Sequence, residues 1–273
     1  MPQPIEQMIR AASPAERATV AKVAKRTAAS SAEEIDQLVA SLVAEETRAE
    51  RERLASQSFL DGWAGQGGVG GTYSTGNTRE IGGNASLALS KRSLAWEHDI
   101  NVQFDYLKSN GQTRRERIYA GYTGRRDFGG SFFFSFGLLS FERDRFSGID
   151  SRFTESLGIG YRLADTGNFQ WTLEGGPAAR QTQFTDGRDL SRVDLLGRTD
   201  IDWKLSSDLR LTESAGFLLS GENSSLYSKT AITTTIFGDL SARLSYDVLH
   251  ETDPPEGRQK TDTITRASLV YGF

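Results

Sequence analysis

Residues 96–106 read Trp96-Glu97-His98-Asp99-Ile100-Asn101-Val102-Gln103-Phe104-Asp105-Tyr106. Trp96, His98, Ile100, Val102, Phe104 and Tyr106 fall on one face, and the acids and amides between them on the other. Successive side chains of a strand point to opposite faces, so this stretch builds a strand with one oily and one wet side. The pattern recurs. Val193, Leu195, Ile201 and Trp203 stand against Arg192, Asp194, Arg198, Asp200, Asp202 and Lys204. Phe153, Leu157, Ile159 and Tyr161 stand against Arg152, Thr154, Ser156 and Arg162.

From Gly62 onward this period of two predicts about twelve strands: 63–74, 79–91, 95–109, 113–125, 130–143, 151–163, 169–185, 190–205, 209–220, 226–237, 240–252 and 261–273. Each strand with its turn takes about 18 residues, which suits transmembrane strands of roughly 10 residues with aqueous extensions. A soluble β-sandwich also alternates, but its polar face is the outer one. Here the connections are of hairpin length in unbroken succession: Thr75-Gly76-Asn77-Thr78, Asn110-Gly111-Gln112, Thr185-Asp186-Gly187-Arg188 and Ser206-Ser207-Asp208. The reading is an all-β transmembrane antiparallel up-and-down β-barrel over residues 61–273. A short N-terminal α-helical segment, expected to be periplasmic, precedes it over residues 1–60.

Composition agrees. The chain has 273 residues, 37% of them hydrophobic, with 28 Gly and 6 Pro. Mean hydropathy is −0.45. A membrane-spanning helix needs about 18 consecutive apolar residues, and no such run occurs. A net charge of −4 gives no reason to expect a nucleic-acid partner. The absence of cysteine rules out disulfides and thiolate zinc sites. The first residues carry neither a basic nor an apolar leader region, so the outer-membrane reading requires that a signal peptide has been removed.

Residues 1 to about 60 follow helical rules. Ser13-Pro14-Ala15-Glu16 places a capping Ser, a Pro at the first helical position and a Glu three residues after the cap. Ser31-Ala32-Glu33-Glu34 reads as a second capping box. Ile35, Leu38, Val39, Leu42 and Val43 then form one apolar stripe, and Ile5, Met8 and Ile9 form the stripe of a first short helix. Glu45 to Arg53 is charged all round, as in a solvated connector. The stripe could pack on the neighbouring helices, plug the barrel mouth or bind an envelope partner.

If the helices enter strand 1 from the periplasm, even-numbered turns are periplasmic. Arg92-Ser93-Leu94, Ser206-Ser207-Asp208 and Phe237-Gly238-Asp239 are tight, whereas Asp144 to Asp150 and Asp253 to Lys260 are longer and more polar. Short periplasmic turns and longer external loops are the outer-membrane pattern. Trp63, Trp96, Trp171 and Trp203 fall at the periplasmic strand ends on the apolar face, joined by Tyr271 and Phe273 in an interfacial girdle. The terminal Ala267-Ser268-Leu269-Val270-Tyr271-Gly272-Phe273 resembles the signal read by the barrel-assembly machinery, with Phe273 as its aromatic end. Outer-membrane lipid and lipopolysaccharide would surround such a barrel.

The barrel region resembles the YdiY-like family of salt-induced outer-membrane proteins. The resemblance is carried by Gly76-Asn77-Thr78, by Phe136-Gly137-Leu138-Leu139-Ser140-Phe141-Glu142-Arg143-Asp144-Arg145-Phe146-Ser147-Gly148-Ile149-Asp150 and by Gly158-Ile159-Gly160-Tyr161-Arg162-Leu163. Glu174-Gly175-Gly176-Pro177, Asp253-Pro254-Pro255 and Leu269-Val270-Tyr271-Gly272-Phe273 add to it. It implies the outer membrane, and brings with it no catalytic residues and no ligand. The N-terminal helices lie outside the resemblance and look like an extension found in some members.

The face opposite the lipid carries the candidate lumen residues. Its acids are Glu97, Asp99, Asp105, Asp194, Asp200, Asp202 and Asp247; its bases are Arg115, Arg117, Arg152, Arg162, Arg180, Arg192, Arg198, Arg243 and Arg266. In a channel for small solutes or ions, opposed charges of this kind set a transverse field across a water-filled bore. Alternatively the same charges close the lumen as a salt-bridge network, leaving a non-conducting structural or stress-adaptation barrel whose helices bind a partner. A barrel hydrolase would need His beside a Ser nucleophile, yet His98 and His250 fall at opposite rims, roughly a membrane thickness apart. No Gly-x-Ser-x-Gly elbow sits on a strand-to-helix turn, so no enzyme is expected. Asp186-Gly187-Arg188-Asp189 and Asp144 to Asp150 lack calcium-loop spacing, and turn chemistry explains them. No metal and no cofactor are expected.

Overall fold

The computed structural model describes all residues except 59, 75–79, 129–131, 222, 255, 257 and 258. Two compact units result, Met1–Asp61 and Gly62–Phe273.

The first unit holds α1 (Gln3–Ala11), α2 (Pro14–Thr27) and α3 (Ala32–Ser56). Pro14 starts α2, where its missing N–H costs nothing. The Glu16 carboxylate accepts the Ser13 hydroxyl at 2.6 Å and reaches the Ser13 N–H at 3.4 Å. The second expected capping box does not form. Residues Ala29–Ser31 make a 3-10 turn that leaves Ser31 at φ −108°, ψ 16°, outside the extended conformation from which a cap reaches back. Ile9, Ala21, Ala24, Ile35 and Leu38 form the core, with Ile5, Val20, Val39 and Leu42 against it. The apolar stripe therefore closes on its own helices. Met8 and Val43 are corrections: both are largely exposed. At 25 residues α3 is far longer than α1 and α2, and from Val43 to Arg53 every residue is exposed.

The second unit is a closed ring of twelve strands: β1 (Trp63–Ser74), β2 (Glu80–Arg92), β3 (Trp96–Ser109), β4 (Gln112–Asp127), β5 (Phe133–Asp144), β6 (Ile149–Asp165), β7 (Phe169–Phe184), β8 (Asp189–Lys204), β9 (Leu209–Leu219), β10 (Ser225–Phe237), β11 (Leu240–Glu251) and β12 (Thr261–Gly272). Each strand pairs antiparallel with its sequence neighbours, and β12 returns to β1. Twelve was the expected number, and most strand ends lie within two or three residues of the expected ones. Phe273 completes the closure: its N–H donates to the Gly65 carbonyl at 2.9 Å, and its carbonyl accepts the Gly65 N–H at 2.8 Å. Glycine at 65 leaves room for the Phe273 ring, which would have to turn aside for a Cβ 2.4 Å away.

The turns differ from expectation at one place. Asp144 to Asp150 is not a long loop; β6 starts at Ile149, leaving the four-residue turn Arg145–Gly148. The Asp144 carboxylate accepts the N–H groups of Phe146 and Ser147 at 3.2 and 3.1 Å, and Gly148 takes φ +86°. Those two devices tighten the reversal. Asn110 and Gly111 likewise turn β3 into β4 with both φ positive. The longest connection is 252–260, so loop length separates the two ends less than the sequence suggests. The turn 75–78 and its Gly76-Asn77-Thr78 motif lie outside the described residues, as does Pro255.

Alternation sorts the surface. Val69, Ile81, Phe104, Leu139, Leu157, Ile159, Leu195, Leu244 and Leu269 face outward and are exposed. An oily outside on a ring without free edges is a β-barrel of the outer-membrane type, in which every backbone polar group is satisfied between strands.

Candidate functional site

Three layers of ion pairs fill the inside of the ring. Near the end where β1 begins and β12 finishes, Arg162 pairs with Asp127 at 2.6 Å and Glu97 at 3.1 Å. Its guanidinium also stacks 4.8 Å above the Phe134 ring. Arg210 pairs there with Asp202 at 2.5 Å. In the middle, the Glu174 carboxylate sits between Arg125 at 2.5 Å and Arg198 at 2.6 Å. Arg125 continues to Asp99, and Arg198 to Asp200 at 2.9 Å.

Toward the far end the pairs cross the bore. Arg266 on β12 holds Asp105 on β3 through two bonds of 2.5 and 2.7 Å, and Asp247 on β11 at 2.7 Å. Arg152 on β6 reaches Glu251 on β11 at 2.8 Å, five strands away around the ring, and approaches Glu142 at 3.5 Å. Arg117 binds Glu142 at 2.9 Å. Asp194 forms ion pairs with Arg180 at 2.5 Å and Arg192 at 3.0 Å. Arg115 donates to the Thr263 carbonyl at 3.3 Å, and Arg243 to the Gln66 amide oxygen at 2.6 Å. The β5–β6 turn leans over the mouth, where the Ser147 hydroxyl donates to Asp262 of β12 at 2.8 Å. A cavity of about 210 Å³ remains there, lined by Arg114, Arg115, Asp144, Phe146 and Asp262.

The sixteen residues picked from the sequence as inward-facing point into the ring, most of them onto charged partners of the interior, with Arg115 and Arg243 on the Thr263 carbonyl and the Gln66 amide instead. Arg180 is 1% exposed, Asp105 and Asp194 4%, and Arg266 6%. Sequence reasoning missed Arg125, Glu142, Glu174 and Glu251, although the same alternation places them inside. It also missed an apolar plug. Phe134, Phe136, Leu138, Ala178 and Leu196 pack together in the interior with Leu218 against them. Phe133 and Leu139 on the opposite face of β5 are equally apolar, so nothing in that strand's sequence says which set turns inward. Gly160 makes room for the plug, since a Cβ there would lie 2.2 Å from the Phe134 ring.

The candidate girdle residues gather at one end of the ring. Trp96, Trp171, Trp203, Tyr271 and Phe273 are exposed on the outside, and half-buried Trp63 lies 6.3 Å from the His98 ring. His98 stacks on Trp96 and accepts or donates a hydrogen bond of 2.8 Å with the Tyr122 hydroxyl. His250, at the other end, makes a 2.8 Å bond with Thr261.

A family model described as "Protein of unknown function, DUF481" matches residues 67–273. The chain belongs to this family. Its DUF481 region is the barrel, and the helices precede it. The Escherichia coli (strain K12) protein YdiY is 25% identical over 205 residues, covering 73% of this chain and 79% of YdiY. Among solved structures, the translocator domain of the autotransporter NalP from Neisseria meningitidis is 14% identical with a TM-score of 0.43, covering 86% of this chain and 96% of that one. The COG4313 outer membrane channel from Pseudomonas putida F1 is 11% identical with a TM-score of 0.46, covering 80% and 98%. The DUF481 barrel described above rests on its own strand pairing.

Proposed function

We propose that this chain is an integral outer-membrane barrel whose bore is shut at rest by its own side chains, and which serves the envelope as a structural element rather than as a route for solutes. One observation carries the reading: toward the end of the ring away from the tryptophans, the charged residues of the interior are dry. Charges lining a conducting pore keep their water. Here Arg180 and Asp194 are nearly inaccessible, Arg152–Glu251 spans five strands of the ring, and Arg266–Asp105 ties β12 to β3 across β1 and β2. Twelve strands enclose a bore between the filled eight-stranded barrels and the open sixteen-stranded porins, so side chains of this length can fill it.

In this reading the Trp-rich end of the ring is periplasmic, residues 1–60 belong to the periplasm, and Phe273 presents the assembly signal. Lipopolysaccharide meets the opposite rim. The test is current through planar bilayers containing the purified full-length chain. No discrete steps are expected at moderate voltage. Reproducible steps would overturn the closed bore and favour a channel for small ions or solutes.

A further inference from the structure

Two charged side chains of opposite sign stand on the outer wall with no ion pair or side-chain hydrogen bond among the described residues. Glu155 lies between Thr154 and Ser156, both buried in the interior, and so faces outward on β6, where it is exposed. Its surroundings are oil-facing: Leu157 and Phe153 on its own strand, its register partner Leu139 on β5, and Val193 beyond Ala179. Arg143 lies between Glu142 and Asp144, whose carboxylates point inward, so it too faces outward, on β5. Its Nε is buried and has no acceptor. The Phe141 and Phe153 rings separate the two charges, with centroids 5.0 Å apart.

A carboxylate in hydrocarbon is costly wherever no cation meets it. We infer that the outer face of β5 and β6 is a dimer interface on which a second copy of this chain pairs its Arg143 with Glu155, and its Glu155 with Arg143. The inference rests on the membrane reading of the outer wall.

The patch suits a second copy because it complements itself. A two-fold axis along the membrane normal sets residue i against j and j against i. Arg143 lies four residues beyond Leu139, roughly 13 Å along the strand. Strand tilt of about 40° and the slant of the rows reduce the difference in height to roughly 7 Å. An extended arginine covers that distance. Phe141, Phe153 and Leu139 would then meet their counterparts between the two ion pairs. A lipid phosphate, by contrast, would satisfy Arg143 and leave Glu155 in oil.

The chain has no cysteine, which makes the test clean. Full-length protein in mild detergent is weighed by native mass spectrometry as wild type, Glu155→Arg, Arg143→Glu and the double swap. Leu139→Cys, with no other thiol, is oxidised in lipid vesicles. The expected result is a dimer for wild type, association weakened at least tenfold in each single swap, recovery in the double swap, and a cross-linked pair through position 139 in Leu139→Cys. Monomeric wild type with no cross-link in vesicles overturns the interface, as does a folded double swap that stays monomeric. A monomer that sheds bound lipopolysaccharide on Arg143→Glu also overturns it, assigning the patch to lipid. If the swaps do not fold, the cross-link in the otherwise native chain decides. A chain that stays monodisperse without detergent sinks the membrane reading itself; a detergent-dependent monomer sinks only the dimer.

Discussion

Phe134 is fully buried in the apolar plug inside the barrel, and Arg162 stacks on its ring. Truncating such a ring removes both burial and packing, and neighbours on a closed sheet cannot collapse into the space. Phe134→Ala is expected to lower unfolding free energy by about 3–5 kcal/mol, read by urea unfolding in lipid vesicles. A change under about 1 kcal/mol would mean the plug is not packed. Arg266 illustrates what was readable at this scale. Its alternation with Ala267 and Leu269 marks it as inward, yet its partners Asp105 and Asp247 are 161 and 19 residues away. No local pattern names such partners.

At the scale of elements, the helices and strands followed the sequence closely where one rule acted alone. The Ser13–Glu16 cap and Pro14 start α2 as their spacing predicts, and β3 alternates as quoted. Where two rules competed, the sequence was ambiguous: Ser31 reads as a cap but joins a 3-10 turn, and β5 is apolar on both faces. The Ser13–Glu16 cap and the Arg17–Glu46 pair also make the helical unit acid-sensitive. Hydrogen bonds from Ser13 hold the Glu16 carboxyl below its usual range, and bonds from Arg17 do the same for Glu46. A carboxyl whose folded pKa is depressed contributes stability above its unfolded value and loses it as pH falls through the folded one. Helical circular dichroism of the full chain should hold steady near neutral pH and fall below about pH 4.3. A loss of helix on raising the pH instead would contradict the sign.

For the whole molecule, closure is the decisive step and also the weakest seam. β1 meets β12 in register over four residue pairs, Gln66–Val69 with Gly272–Leu269, against twelve between β1 and β2. Phe273 and Gly65 lengthen that seam only slightly. Local opening should therefore begin there. Amide exchange along the β1–β12 ladder is expected to run about tenfold or more faster than along β6–β7. Equal protection of the two ladders would show that the ring has no preferred opening.

The sequence by itself determined the number of strands, most of their boundaries and, outside β5, which side chains face inward, because alternation and turn chemistry act over a few residues. It also determined the separate helical segment and the gathering of tryptophans at one end. Only the tertiary structure decided that the inward charges pair with one another inside the ring, that Phe134 and its neighbours form an interior plug, and that Glu155 and Arg143 have no partner among the described residues. Those outcomes depend on which strands come face to face when the ring closes, a relation between residues far apart in the chain.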